Sequence, residues 1–125
     1  MLAILFLTAS TQFSLPPNLL SSLCYVESRH NISVVHEHDG GDSSIGICQI
    51  KLKTAKYLGF KGTEKQLLDP KTNIYYAAKY LAYQRTRYHG DIKKAIIAYN
   101  KGHAGHLTKT PYSDKVLYTW RLANE

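Results

Sequence analysis

Acidic residues are scarce in this 125-residue chain. Nine Asp and Glu stand against sixteen Lys and Arg, which gives a formal net charge of +7 and an isoelectric point of about 9.4. Such a balance predicts attraction to a polyanion, whether a cell wall, a nucleic acid or an acidic membrane surface. No recognised nucleic-acid reader motif is present, so we expect no nucleic-acid partner.

Apolar runs are too short to cross a bilayer. The run MLAILFLTA, residues 1–9, falls well below the roughly 20 apolar residues that a spanning helix needs. It resembles the core of a secretion signal but has no Lys or Arg before it. We therefore expect residues 1–14 to be an export signal or an N-terminal extension packed on the domain. Residues 15–125 then form the domain, without stable membrane insertion.

Cysteine is rare, with Cys24 and Cys48 alone, so at most one intramolecular disulfide can form. The apolar surroundings of both predict free core thiols, with a disulfide as the alternative in an exported protein. No histidine stands in a recognisable cysteine-hydrolase arrangement, which argues against a cysteine nucleophile. The stretch from His36 to Asp39 lacks a third well-spaced ligand, so we expect no metal and no cofactor.

The apolar residues of the chain recur mainly at the spacing of α-helices. Length and the 44% hydrophobic content fit one soluble globular domain. Pro16 and Pro17 can open a first helix that ends near Arg29, and a polar, glycine-containing loop follows to Ser44. Further start and stop signals predict helices over 52–59, from Asp69-Pro70 to 88, from Asp91 to 99 and after Pro111. The pattern predicts a mainly α domain of about five to seven helices.

Glu27 continues the apolar stripe of the first helix. It follows Leu23 by four residues and Cys24 by three, so it shares their inward face. Burial disfavours the charged carboxylate and raises its pKa, as a general acid near neutral pH requires. The alternative is an acid at the edge of the core, salt-bridged to one of the many basic residues.

Three short motifs accompany this acid. Glu27-Ser28-Arg29, then residues 46–50 (GICQI), then Ala98-Tyr99-Asn100 occur in this order, and Lys53-Thr54-Ala55 follows the second. In order and separation they resemble the motifs of the lysozyme-like lytic transglycosylases, and the resemblance spans roughly residues 15–120. It implies a lysozyme-like fold.

The resemblance also implies roles for individual residues. Glu27 becomes the catalytic acid, with Tyr99 beside it and able to donate a hydrogen bond to its carboxyl group. Taken alone, Gln49 and Tyr99 have structural alternatives, as a turn residue satisfying backbone groups and as a core tyrosine. The implied substrate-binding residues are Ser44, Gln49, Tyr99, Asn100 and Tyr112.

By the same resemblance, the substrate is the glycan strand of peptidoglycan. The expected reaction cleaves the β-1,4 bond between MurNAc and GlcNAc and leaves a 1,6-anhydro end. A lysozyme-type hydrolase is the alternative, with Asp39 or Asp42 as second carboxylate. Another is a non-catalytic wall-binding or virion module. We expect a monomer that is exported to the periplasm or cell exterior, or associated with a virion.

Overall fold

The computed structural model describes residues 1–38 and 42–125, which form seven α-helices and three two-residue strands. The mainly α prediction and the expected number of helices are therefore confirmed. In chain order the elements are α1 (Leu2–Gln12), α2 (Leu19–Ser28), β1 (Val35–His36), β2 (Ser44–Ile45), β3 (Ile50–Lys51), α3 (Leu52–Tyr57), α4 (Glu64–Leu67), α5 (Pro70–Arg87), α6 (Ile92–Lys101) and α7 (Pro111–Ala123).

Three helices begin where local capping chemistry predicts. The side chains of Asp69, Asp91 and Thr110 each accept a hydrogen bond from a backbone N–H in the first turn of α5, α6 and α7. Such caps satisfy donors that have no partner within the helix. Gly102 ends α6 with a left-handed φ of 88°, a conformation that costs glycine little.

One main core lies between the helices. Helix α5 packs against α6, and α2 packs against α7. The inward residues of α2 are fully buried, and those of α5 nearly so, which removes their apolar surface from water. These are Leu19, Leu20, Leu23 and Cys24 on α2, and Ile74, Ala77, Ala78 and Leu81 on α5. Glu27 extends the buried stripe of α2 by one further turn.

Helix α1 is part of this core. Phe6 and Ala9 are buried within it, and Arg85 of α5 donates hydrogen bonds to the carbonyl oxygens of Phe13 and Ser14. The buried core therefore starts before Leu15, and residues 2–12 form a packed extension. An export signal at this end stays a prediction. Among the described residues, no helix combines the length and apolar character needed to cross a membrane.

The three strands form a small antiparallel sheet in the order β1-β2-β3. Its register aligns Val35, Ile45 and Ile50 in one row and His36, Ser44 and Lys51 in the next. Because side chains alternate along a strand, the two rows lie on opposite faces. Ile45 and Ile50 are buried in a second, smaller core. The second row, which is polar, faces away from that core.

The prediction of free thiols is wrong. Cys24 and Cys48 form a disulfide, with their Cα atoms 4.4 Å apart. Both side chains are buried, as expected, but the packing of α2 against the turn between β2 and β3 brings them together. Burial alone is compatible with either state, which is why the sequence did not distinguish them.

Candidate active site

The last turn of α2 carries Glu27 into a cleft between α2, the sheet and α6. Four of the expected substrate-binding residues line this cleft with Glu27: Ser44, Gln49, Tyr99 and Asn100. Sequence reasoning assigned no chemical role to several other residues that line the cleft. These are Lys51, Thr54, Tyr80, Lys101 and Gly102.

Local hydrogen bonds fix the end of α2 next to the second motif. Arg29 ends the helix in a left-handed conformation, and its N–H donates to the carbonyl oxygen of Tyr25. One residue earlier, the Ser28 hydroxyl donates to the carbonyl oxygen of Ile47 at 2.6 Å. The first and second motifs are thus joined by this hydrogen bond and by the Cys24–Cys48 disulfide.

The carboxyl group of Glu27 is mostly buried, and burial raises its pKa from an ordinary 4.5 to about 7. A hydrogen bond from Tyr112 and the charge of His36 favour the ionised form and oppose this effect. The Tyr112 hydroxyl donates to Oε2 of Glu27 at 2.6 Å. Because Oε2 accepts this hydrogen bond, the proton of the neutral acid is best placed on Oε1.

The two predicted site tyrosines have different partners. Tyr99 donates to the carbonyl oxygen of Cys48 at 2.8 Å, so the expected hydrogen bond from Tyr99 to Glu27 is wrong. Tyr112 makes that bond instead, because α7 packs on α2 and brings its first turn to the acid. Burial, followed by the negative charge of Glu27, raises the pKa of both phenols well above the usual range. Both therefore remain hydrogen-bond donors at neutral pH.

Gln49 builds the turn of the second motif. Its Nε2 donates to the carbonyl oxygens of Val34 and Gly46, at 3.2 and 3.0 Å. Because both amide hydrogens have carbonyl partners, Oε1 is the acceptor in the 2.7 Å contact with Nδ1 of His36, and His36 is the donor. These contacts match the structural alternative for Gln49, while substrate contact by this residue stays a prediction.

Asn73 of α5 holds the same turn in place through hydrogen bonds. Sequence reasoning missed this residue. Its fully buried side chain accepts from the N–H of Cys48 at 2.9 Å and donates to the carbonyl oxygens of Ile45 and Leu67. Gly46 has φ +76°, and a Cβ atom there would lie 2.5 Å from Nδ2 of Asn73. Glycine is therefore required both by the backbone conformation and by the close approach of Asn73.

The remaining predicted polar residues are more accessible. The Ser44 hydroxyl contacts Nε2 of His38 at 2.9 Å, and Asn100 is exposed near the end of α6. Asp42 lines a separate depression with Lys53 and Glu64, outside the cleft. Asp39 lies outside the described residues. Among the described residues, no three His, Cys, Asp or Glu side chains form a group able to hold a metal ion.

This arrangement provides a proton donor in a cleft. With a pKa of about 7, Glu27 is protonated in a large fraction of molecules at neutral pH. The Tyr112 hydroxyl orients its carboxyl group. A carboxylic acid with a pKa near the working pH is suited to protonating a leaving oxygen. Of the described residues that line the cleft, Glu27 is the one carboxylic acid.

Comparison with known proteins identifies the family. The family model described as "Transglycosylase SLT domain" matches residues 4–117. The chain belongs to the transglycosylase SLT domain family. This SLT domain is 34% identical over 113 residues to a protein of Enterobacteria phage PRD1 named "Transglycosylase". That alignment covers 87% of the chain but only 39% of the phage protein, so the chain spans well under half the length of this relative.

Solved structures share the fold. The 70 kDa soluble lytic transglycosylase SLT70 from Escherichia coli superposes with a TM-score of 0.70 and 23% identity, covering 96% of this SLT domain and 21% of SLT70. An inactive mutant of lytic transglycosylase Slt from Pseudomonas aeruginosa gives a TM-score of 0.69 and 21% identity, covering 92% of the SLT domain and 20% of Slt. At these identities the likeness establishes the expected lysozyme-like fold.

Proposed function

We propose that this SLT domain is a peptidoglycan lytic transglycosylase that cleaves the β-1,4 bond between MurNAc and GlcNAc, with Glu27 as its catalytic acid. One observation carries the proposal. The carboxyl group of Glu27 lies in a cleft, burial raises its pKa to about 7, and the Tyr112 hydroxyl holds it in place. The names of the phage and bacterial relatives support the same activity.

The chemistry needs only one carboxyl group. Glu27 donates its proton to the glycosidic oxygen, the C1–O bond breaks, and GlcNAc leaves with a free 4-hydroxyl group. Positive charge develops on the MurNAc ring, as in other glycosidic cleavages. The C6 hydroxyl of MurNAc then attacks C1 and returns its proton to the Glu27 carboxylate. This closes the 1,6-anhydro ring and regenerates the acid, so no water is consumed.

The acidic residues of the cleft favour a transglycosylase over a hydrolase. A hydrolase that follows the usual pattern uses a second carboxylate as nucleophile or as base for water. Asp42 lines a different depression, and Glu27 is the one acid among the described cleft residues. Asp39, the other candidate for a second carboxylate, lies outside the described residues. The identity of the products therefore decides between the two reactions.

We further propose that the domain acts as a monomer outside the cytoplasm, in the periplasm, at the cell exterior or in a virion. The disulfide supports this location, because such bonds persist mainly in oxidising compartments. The cleft brings together residues of all three motifs, so one chain is sufficient to build it and a monomer is the simplest active form. Light scattering in solution tests the oligomeric state, and a stable dimer would contradict this part of the proposal.

The decisive experiment is mass spectrometry of the soluble products released from purified peptidoglycan. The protein is compared with Glu27→Gln and with a control, Glu64→Gln, which changes an exposed carboxylate outside the cleft. We expect anhydro-muropeptides from the unmodified protein and the control. Their yield should fall at least about a hundredfold in Glu27→Gln, the size of effect typical of a lost general acid.

Each of three other outcomes would change the proposal. Products with reducing ends that vanish in Glu27→Gln would identify a hydrolase and would make Asp39 and Asp42 the next residues to replace. Full activity of Glu27→Gln would exclude this residue as the acid. An absence of products from all three proteins, over a range of pH and salt, would overturn the enzymatic proposal and leave a wall-binding module.

A further inference from the structure

A second depression lies between the end of α2 and the middle of α7, and it shares no lining residue with the cleft. Two of its tyrosines are accessible, with Tyr25 40% and Tyr118 56% exposed. Single exposed aromatic residues are common, but here two rings and several cations lie at one place. The lining residues are Tyr25, Val26, Arg29, Lys115, Tyr118 and Thr119.

Helical spacing places this depression on the side of α2 that faces away from the acid. Tyr25 precedes Glu27 by two residues, a step of roughly 200° around a helix. Glu27 continues the buried stripe of Leu23, so Tyr25 points outward. Arg29 follows Tyr25 by four residues and lies on the same outward side. The depression is therefore outside the candidate active site.

Each of the two exposed rings has an arginine over it. The guanidinium carbon of Arg29 lies 5.5 Å from the centre of the Tyr25 ring, and that of Arg121 lies 5.3 Å from the centre of the Tyr118 ring. Nη1 of Arg29 also donates a hydrogen bond to the Tyr25 hydroxyl at 3.2 Å. These contacts restrict the guanidinium groups in advance, so less conformational freedom is lost when their other N–H groups bind an anion.

The charges of this region have one sign. Lys115 adds a third exposed cation to the two arginines, and no Asp or Glu lines the depression. In the part of the chain that the structure describes, the one ion pair joins Lys109 to Asp114, so none of these three cations is paired. The tyrosines and the cations together form the α2–α7 surface: Tyr25, Arg29, Lys115, Tyr118 and Arg121.

We propose that the α2–α7 surface binds an acidic segment of another protein. Three unpaired cations require an anionic partner, and a guanidinium group can form two parallel hydrogen bonds with a carboxylate. Tyrosine and arginine are also the residues enriched where protein interfaces gain most of their binding energy.

The composition of the depression favours a protein segment over a phosphate polymer. A phosphate polymer is bound chiefly through many cations along its backbone, whereas half of the lining residues here are apolar or aromatic: Tyr25, Val26 and Tyr118. Such residues can pack against the apolar parts of a protein segment. Because the two sites share no residue, the proposal does not depend on the catalytic role of Glu27.

NMR titration of the isotope-labelled domain tests the proposal. The probe is a synthetic peptide of the repeating sequence Glu-Glu-Leu, and its control has glutamine in place of each glutamate. The test variant combines Arg29→Gln, Lys115→Gln and Arg121→Gln. A matched variant removes three charges at exposed positions outside both the cleft and the α2–α7 surface: Lys61→Gln, Lys65→Gln and Lys93→Gln. The spectra also show whether each variant is folded.

We expect the glutamate peptide to shift amide signals of α2 and α7, and the glutamine peptide to shift none. The dissociation constant should rise about tenfold in the test variant, the combined effect of three exposed ion pairs, and change less than about twofold in the matched variant. Tyr118→Ala should also weaken binding, because it removes a ring that contacts the peptide, whereas attraction by charge alone would be unchanged.

Several results would overturn the proposal: no binding of the glutamate peptide, signal shifts confined to other faces, or equal weakening in the two triple variants. Vesicles of phosphatidylglycerol and a DNA duplex test the other classes of anion. Binding of either through the three cations, without binding of the peptide, would assign the surface to phosphate groups and overturn the protein partner. Because no peptidoglycan is present, failure of the proposed catalytic function would leave these results unchanged.

Discussion

The Tyr112 hydroxyl donates a hydrogen bond to Oε2 of Glu27 at 2.6 Å, across 85 residues of sequence. It joins the first turn of α7 to the last turn of α2. Burial raises the pKa of Glu27, whereas this bond stabilises the carboxylate and limits the rise. Tyr112 thus both orients the carboxyl group and limits the rise of its pKa.

Replacement of this hydroxyl should move the pH profile. In Tyr112→Phe the ionised form of Glu27 loses a charge-assisted hydrogen bond worth about 1.5 to 3 kcal/mol, so its pKa should rise by about one to two units. Since the proposed mechanism requires Glu27 to be protonated, the alkaline limb of the rate profile should shift to higher pH. The rate on the acid side should fall roughly tenfold, because the carboxyl group loses its fixed orientation.

Rates measured from pH 5 to 9 on purified peptidoglycan check this expectation. Tyr118→Phe is the matched control, since Tyr118 lies on the same helix and is 56% exposed. An alkaline limb that stays in place in Tyr112→Phe would show that the hydroxyl does not influence the acid.

Glu27 should make the protein less stable as pH rises. Its pKa is about 7 in the folded protein and near 4.5 when unfolded, so below pH 4.5 both states are protonated and no penalty exists. Between pH 4.5 and 7 the unfolded chain releases the proton that the folded protein retains, and stability falls. Above pH 7 the full penalty is present, roughly 3 kcal/mol.

Glu27→Gln removes this penalty and still accepts the hydrogen bond from Tyr112. We expect it to unfold with a free energy close to that of the unmodified protein at pH 4.5 and higher by up to roughly 3 kcal/mol at pH 8. Urea denaturation at the two pH values measures the difference. Glu125→Gln, at an exposed position, serves as control and should show no such divergence. A constant difference at both pH values would contradict the raised pKa.

The disulfide should contribute substantially to stability. It connects residues separated by 24 positions. Closing a loop of this length raises the free energy of unfolding by about 3 kcal/mol, because it restricts the conformations of the unfolded chain. Cys24→Ala with Cys48→Ala should therefore lower the free energy of unfolding by about that amount, measured in urea. Dithiothreitol should destabilise the unmodified protein similarly and leave the double variant unchanged. Insensitivity of the unmodified protein would argue against the bond.

Asn73 should be among the most sensitive buried positions. Asn73→Ala leaves the N–H of Cys48 and the carbonyl oxygens of Ile45 and Leu67 without partners, at about 1 to 3 kcal/mol for each buried group. We expect a loss of about 4 kcal/mol or more in urea denaturation. Asn100→Ala, at an exposed position, should change stability by less than about 0.5 kcal/mol.

A double-mutant cycle can separate the two reasons for glycine at position 46. Gly46→Ala should destabilise through its positive φ and through the clash with Asn73. In an Asn73→Ala background the clash is gone and only the conformational strain remains, so the same change should cost less. Equal costs in both backgrounds would mean that the surrounding structure relaxes to accept the methyl group.

The helical framework was predictable because its signals are local. Asp69-Pro70, Asp91 and Thr110-Pro111 provide caps and first-turn prolines, and the stripe leading to Glu27 has helical spacing. The burial of the Glu27 carboxyl group was predictable by the same reasoning, because a carboxylate on an apolar face is buried wherever that face packs. The motifs added the identity of the fold, which the family comparison confirms.

Tertiary packing decided which group forms a hydrogen bond with Glu27. Tyr112 donates that bond instead of Tyr99, because the packing of α7 on α2 places its hydroxyl there. Cys24 and Cys48 bond because two buried faces meet, and Asn73 holds the second motif across 25 residues. No local pattern specifies such distances, since each depends on how separate elements pack. The sequence by itself determined the helices and the inward position of Glu27, whereas the hydrogen bonds, the disulfide and the placement of Lys51 and Lys101 in the cleft were determined by the packing of those elements.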